Sequence, residues 1–582
     1  FSQVDAFLSG ALAESPSIVR AKRGAYLNGG ELSIKSGGHK EWPQIANVNQ
    51  SQSEVAQLHK ELAEPKTIWQ NLLKDVETGR YYLNQLIAAS DGQQITQEAI
   101  TTTHHRANAL FNIMRGGVFP NGYKINVERF KKYIAHHCKN FDSDETTWLN
   151  SLPEKWTHSA LVDASKDASK RLQRLSLEYL PLVFSRRHGD PSRPWNRFNI
   201  QTKDANGDLI VGFQGNWRDI FQNWEALAFS FPHYNQSFIH KFLNASTADG
   251  YNPYRITNKG IDWEEPDPND PWASIGYWGD HQIIYLLKLL EFSDNLDSDQ
   301  FKSLLRNEDF VFADVPYEIK GFEALATDPN HSIHFNAERN KAIAERTEKI
   351  GADGKLVHLT DDTLQSVSLI EKLLIPLLAK LSNYIPSGGI WMNTQRPEWN
   401  DANNALAGNG LSMVTTYYIH RYVTFLESVL ETETEDFTCF EALNHLFIDL
   451  QKVFGGDPLA ATENDSARYK MAQALGNAGE VYRNKIYKGN YGSRISLSSK
   501  EIQNFLASVR AHIQHTIEIN QRPDALYHAY NILHIDIQSE TASVENLGVM
   551  LEGQVAVLSS KAIAPKQALK TLKALRNSDL YC

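Results

Sequence analysis

Four stretches mix ionisable groups with aromatic rings in a way that neither plain core nor plain surface requires. Residues 212–227, GFQGNWRDIFQNWEAL, set Arg218 beside Asp219 where a helix is predicted to begin, after Gly212 and Gly215, which permit a tight turn. Opposite charges so placed can fork onto adjacent hydroxyls, and Asp219 can equally be a helix cap. Residues 387–412, SGGIWMNTQRPEWNDANNALAGNGLS, put Asp401 just after Trp399 and ahead of a helical run. A carboxyl shielded by an indole is desolvated and holds its proton more tightly, which a general acid at neutral pH requires. Glu398 is the alternative carboxyl, and a capping role for Asp401 stays open. In residues 275–291 Asp280 and His281 open an apolar helix, and in RPDALYHAYNIL at 522–533 His528 is flanked by aromatics, a setting equally suited to a core histidine. The apolar run MLEGQVAVLSS at 550–560 carries Glu552, Gln554, Ser559 and Ser560, which a pocket wall tolerates better than a core does.

Tryptophan distribution narrows the chemistry. Of twelve, eight (Trp195, Trp217, Trp224, Trp263, Trp272, Trp278, Trp391 and Trp399) fall between 195 and 399, and none follows. Several adjoin Asp, Asn, Glu or Arg, as in RPWNRF, GNWRD, YWGDHQ and PEWND. A pyranose needs that pairing, its C–H face against an indole and its rim of hydroxyls against carboxylates, amides and guanidinium groups. Any one of these tryptophans can be core; the set points to carbohydrate. Other chemistries lack their apparatus. His104-His105 and His136-His137-Cys138 diverge by about 100° per residue on a helix, with no second cluster at ligand spacing, so no metal is expected. The acidic DWEEPDPNDPW lacks calcium-loop spacing, and there is neither a Walker loop nor a GxSxG elbow.

The elements that must position these residues are mostly helical. Residues 1–50, rich in Gly, Ser and Lys, read as an N-terminal arm, and 51–90 as a helical linker with apolar residues three and four apart. Helical spacing recurs at 158–187, 218–245, 281–295, 362–385, 404–431, 437–454, 498–519, 545–560 and 565–576. Strand signals are few, DLIVGF at 208–213 and KLVHL at 355–359, and no fixed-period repeat is visible. A mainly α, closed helical assembly with long connecting loops follows, and long loops on a rigid scaffold are where chemistry sits.

Charge and composition exclude further classes. With 58 Lys and Arg against 69 Asp and Glu the chain carries a formal charge of −11, which repels nucleic acid on average. The longest apolar stretches, such as LLIPLLAKL at 373–381, are too short to span a membrane. Three scattered cysteines, Cys138, Cys439 and Cys582, suit a reducing, cytoplasmic setting. The 582-residue chain opens on Phe1 and closes on a helix, so it is expected to be a fragment or a processed chain, with a further N- or C-terminal domain and a homo-oligomer both open.

In order along the chain, NWRD at 216–219, GDHQ at 279–282, EWNDANNALAGNG at 398–410 and LYHAYN at 526–531 resemble the fingerprints of the (α/α)6-barrel glycosidases and phosphorylases, in particular the cellobiose phosphorylase family. The resemblance spans roughly residues 190–560 and is carried by short motifs, of which the WND element followed by Asn and Gly is the most specific. It implies an (α/α)6 barrel over 91–582 and inverting cleavage of a β-linked gluco-oligosaccharide by inorganic phosphate, a co-substrate, with no other cofactor. By that resemblance Asp401 is the general acid, while Arg218 and Asp219 hold the reacting glucosyl ring. Trp217, Asp280, Trp399 and Glu398 complete the substrate contacts. His528 binds phosphate, with Ser559 and Ser560 beside it. Gln214 stands where the family carries a basic residue, so Arg193 and Arg197 are expected to supply that charge, and the family's N-terminal β-sandwich has no counterpart. A hydrolase on the same barrel, with Glu552 or Glu480 as base, and a non-catalytic carbohydrate-binding helical protein are the alternatives.

Overall fold

The computed structural model describes residues 8–10, 31–42, 44–45, 50–184, 202–204, 207–266, 277–360, 363–394, 406 and 408–581. The chain divides into two compact units, Phe1–Arg80 and Tyr81–Cys582. In the first, helix Gln52–Glu61 is set by a capping box, Ser51 and Glu54 each bonding the other's backbone N–H, and it buries no residue. A second helix, Pro65–Ala89, buries only Leu86 and Ile87.

The second unit is mainly α. Its most apolar helix, Leu369–Leu381, starts at a capping box of Ser368 and Glu371 and is buried almost throughout. Each fully buried Leu or Ile there contributes about 1.5–3 kcal/mol. Glu371 also accepts from the Phe440 N–H at 3.0 Å and pairs with Arg494 at 2.8 Å, tying the helix to strand Phe437–Phe440. Helix Met413–Leu430 is likewise largely buried, and it packs on helix Ser499–Ile519.

Most expected helices form, with breaks where local chemistry demands them. The run at 158–187 divides into His158–Ser165 and Lys170–Glu178 because Ser169 caps the second. The run at 218–245 divides at Pro232 into Trp217–Ser230 and Asn235–Asn244. The segment 545–560 is helical only from Leu551, since Thr541–Asn546 pairs with Tyr530–Asp536 in an antiparallel hairpin. Within 208–213 only isolated bridges at Leu209 and Val211 form, and the strand comes later, at Gln214–Asn216. The long helix Asp465–Ile486 escapes the periodicity because Gly476 and Gly479 stand on its packed face. A Cβ at Gly476 would lie 2.4 Å from the Phe322 ring, so small residues there replace apolar ones.

The hairpin belongs to an antiparallel five-stranded sheet in the order Tyr384–Ile385, Gly389–Trp391, Gly410–Ser412, Tyr530–Asp536, Thr541–Asn546. Strands Gly389–Trp391 and Gly410–Ser412 precede and follow residues 395–405 in the sequence, and the register sets Ile390 opposite Ser412 and Ser412 opposite Tyr530.

Residues Lys124–Tyr179 have an apolar core of their own, with Phe130, Ile134, Leu161, Leu172 and Leu175 fully buried. They meet the larger core through buried charges. Arg174 pairs with Glu178 at 3.0 Å and with Asp353 at 2.5 Å, while Glu178 also receives Lys241 at 3.4 Å and Asn244 at 2.7 Å. Burial alone would raise the Glu178 carboxyl, but Arg174 and Lys241 outweigh it and hold it at about 2. Breaking one partner of such a network leaves an uncompensated charge, which typically costs about 3–5 kcal/mol.

Two histidines beside this seam make its stability acid-sensitive. Burial, aided by the Lys241 ammonium, lowers the His137 imidazole to about 3, and burial with His233 nearby lowers His158 to about 4. Both stay neutral in the fold while the unfolded chain takes up protons below 6.5, so their contribution is full above 6.5 and lost as pH falls toward the folded values. At pH 5 each should withhold roughly 2 kcal/mol. Thermal unfolding at pH 7 and pH 5 checks this: His137→Phe should lose less stability on acidification than the parent, and an equal loss would refute the assignment.

Candidate functional site

Among the described candidates, Asp280 has the most constrained setting. Its chain enters from an antiparallel bridge, Asn252 N–H to Trp278 O at 2.7 Å and Trp278 N–H to Asn252 O at 3.2 Å. The turn before Asn252 needs Gly250 at φ +87°, where a Cβ would lie 2.7 Å from Ala379 Cβ and 3.2 Å from Pro376 Cα on helix Leu369–Leu381. After Asp280 the chain forms a π-helical turn, Gln282–Leu286, before helix Leu287–Leu296. Such turns are rare and collect at functional sites. The Gln282 amide, oriented to donate, bonds Gly279 O and Gly250 O at 3.0 Å each, locking the two turns together.

Lys380, which sequence reading did not single out, comes through the wall formed by these turns. It is buried, and its ammonium sits 5.0 Å from the Tyr251 ring centroid. Gly279 makes the approach possible: a Cβ there would lie 2.6 Å from Lys380 Cε. Burial pushes the ammonium's pKa down, and the Asp280 carboxylate opposes that. Among the described residues the Lys380 ammonium has no hydrogen-bond acceptor, while Asp280 Oδ1 and the indole nitrogens of Trp278 and Trp217 are buried without a partner. An acceptor carboxylate, a cation and indole N–H donors form the set that binds hydroxyls.

A hydrogen-bonded chain leads from this cluster to Asn393, just past strand Gly389–Trp391. Asn383 Nδ2 donates to the Tyr251 hydroxyl at 3.1 Å, and Asn393 Nδ2 donates to Asn383 Oδ1 at 2.7 Å. Trp391 Nε1 donates to Gly408 O at 2.6 Å. Tyr251 stacks on Tyr277, whose hydroxyl donates to Asp249 at 2.6 Å, and Tyr487 donates to the other oxygen at 2.7 Å. Asp401, Glu398 and Trp399 lie outside the described residues, as do Arg193 and Arg197. Arg218 and Asp219 open helix Trp217–Ser230, their side chains outside the described part, and that helix packs on Gln282–Leu286. The Trp217 ring is fully buried, edge-on to Phe242 at 4.9 Å.

His528 stands at the other end of the sheet. Leu533 N–H bonds Asn409 O, whereas His528 lies beyond the Ser412–Tyr530 pair, about 16 Å away at roughly 3.3 Å per residue. Its Nδ1 is 3.0 Å from Leu547 O, and its Nε2 has no partner among the described residues. Burial, with Arg522 nearby, lowers its pKa. Helix Leu551–Ser559 docks beside it, Gln554 bonding Tyr527 N–H at 2.9 Å and Tyr527 O at 2.7 Å. Glu552 is in that first turn, and burial raises its pKa. Ser559 and Ser560 are at the far end, about 10 Å on at 1.5 Å per residue. There the Ser560 hydroxyl donates to Val557 O at 2.7 Å, and Ser559 O accepts from Arg421. Glu480 accepts from Phe322 N–H at 3.0 Å. Among the described residues no acidic, His or Cys cluster suited to a metal is present, and no helix is long and apolar enough to cross a membrane.

The close approach of Lys380 to Gly279 gives a direct check. Gly279→Ala should cost about 1–3 kcal/mol through overpacking, and much less in a Lys380→Ala background. Thermal unfolding of the four proteins measures the coupling, and equal cost in both backgrounds would show that the two residues do not constrain each other.

No curated protein matches the chain. Residues 119–181, which include the small helical core bonded through Arg174 and Glu178, match the family model of glycoside hydrolase family 149 insertion domain 1. That match supports a protein of the glycoside hydrolase or phosphorylase type and does not single out the cellobiose phosphorylases.

Proposed function

We propose that the chain is an inverting glycoside phosphorylase that cleaves β-linked gluco-oligosaccharides with inorganic phosphate, releasing a sugar 1-phosphate. The match over residues 119–181 carries the reading, because it falls outside the 190–560 stretch that holds the glycosidase-like motifs and so supports them independently. In this reading residues 91–582 are the catalytic domain, an (α/α)6 barrel. Asp401 protonates the leaving glycosidic oxygen, while Arg218 and Asp219 hold the ring that is attacked. Asp280 and Lys380 take hydroxyls of the bound sugar, Asp280 accepting through the oxygen that has no partner among the described residues and Lys380 donating.

Phosphate is the nucleophile, held by Arg193, Arg197 and His528. A guanidinium suits it because its fork matches the oxygens and keeps its proton. Since phosphate arrives already anionic, no second carboxylate is needed to activate it. The free, buried thiols of Cys138 and Cys439 suit a cytoplasmic setting.

One observation favours a second reading, an inverting hydrolase. Glu552 is desolvated, so it can act as a base if it lies about 6.5–9.5 Å from Asp401 with water between.

Breakdown of a β-linked gluco-oligosaccharide, followed with and without inorganic phosphate, separates the two. Phosphate-dependent release of sugar 1-phosphate is expected; turnover indifferent to phosphate refutes the phosphorylase. Asp401→Asn should lower kcat by about 10²–10⁴-fold with ligand affinity kept. Unchanged turnover in that variant would remove Asp401 as the acid.

A further inference from the structure

A cavity of about 690 Å³ lies between the end of helix Val127–His137, the strands Gln214–Asn216, Arg255–Thr257 and Gly260–Asp262, and the turn Ala352–Lys355. It shares no lining residue with the Asp280 cluster. Three lysines line it, Lys139, Lys259 and Lys355, against one carboxylate, Asp262. That carboxylate is already neutralised twice, by Lys355 at 2.6 Å and Arg255 at 3.0 Å. Lys139 donates to Glu348 O at 2.6 Å, which holds it in place without cancelling its charge. The Lys259 ammonium has no hydrogen-bond or ion-pair partner among the described residues.

His136 joins the lysines, its Nε2 lying 3.3 Å from Lys259 O. Burial lowers its pKa, and the charges of Lys259, Lys355 and Lys139 lower it further. Gln214 and Asn258 add amides, and Phe184 and Ile210 form an apolar wall. The volume accommodates a phosphorylated monosaccharide, and ammonium groups are common binders of phosphate as point charges.

We propose that this cavity binds a phosphate group, that of inorganic phosphate or of a phosphorylated monosaccharide. The proposal stands on the charges lining this cavity and goes beyond the phosphorolysis reading. Bound anion must favour the imidazolium, so His136 should titrate at higher pH when the site is filled.

The test uses the full chain with isotope-labelled histidine, the His136 signal being assigned from its loss in His136→Gln. Titrations with inorganic phosphate, glucose 1-phosphate and glucose are run at constant ionic strength. Either phosphate should raise the His136 pKa by about one unit, glucose should not, and Lys259→Glu should weaken the effect about tenfold or more. Glucose 1-phosphate acting at lower concentration than inorganic phosphate assigns the site to the sugar phosphate; equal potency assigns it to the phosphate group alone. Lys259 is exposed, so its variant should fold. A His136 titration unmoved by both phosphates, moved equally by glucose, or unchanged by Lys259→Glu overturns the proposal, whatever the outcome of the activity assay.

Discussion

Burying an ammonium group is unfavourable unless acceptors, opposite charge or an aromatic face surround it, and helix Leu369–Leu381 buries two. Lys372 is fully accommodated: it donates to Val311 O at 2.8 Å and Ser246 O at 3.3 Å, and it lies 4.1 Å from the Phe312 ring centroid. Its role is to fasten the helix to neighbouring loops. Among the described residues Lys380 has the Tyr251 face and the Asp280 charge and no hydrogen-bond acceptor. The turns at Gly250 and Gly279, the π-helical turn and the Asn383–Asn393 link all bear on where that one cation can sit. The candidate site is thus a consequence of how the interior accommodates this charge.

The same logic appears at the join between the 119–181 segment and the rest of its unit. The segment could have been attached by an apolar face; instead Arg174, Glu178, Asp353 and Lys241 meet below the surface. Such a join adds little net stability over a well-packed apolar one, yet it tolerates few alternative arrangements, since every shifted register strands a charge. The cavity with the three lysines opens next to this join, sharing Lys355 and Ala352 with its lining. Placement of the segment and shape of that cavity are therefore coupled.

Much of the helical architecture was legible because apolar residues at three- and four-residue spacing need a common buried face. The hairpin at 530–546 was less so, for its short strands carry polar residues on both sides and the pairing partner Gly410–Ser412 is more than a hundred residues away. At the site, Asp280 stood out as a polar residue opening an apolar run, and Ser560 stood out for a similar reason, though its hydroxyl is used to end a helix. Lys380 was in plain view within LLIPLLAKL, but its meaning depends on a missing Cβ at Gly279 and a ring at Tyr251, contacts that no local pattern encodes. Arg522, beside His528, was hidden for the same reason, since only the fold brings its charge to bear on the imidazole.

The π-helical turn Gln282–Leu286 amounts to one residue more than an α-helix would use over the same path. Removing a residue there would restore ordinary winding while leaving the chain on either side close to its present phase. Asp280 and His281 would still open the run, and Leu287–Leu296 would keep its apolar stripe inward. What the insertion stores is a local widening of the backbone rather than a change of aim, and relatives that differ by a single deletion at this point would share both the scaffold and the direction of the carboxylate.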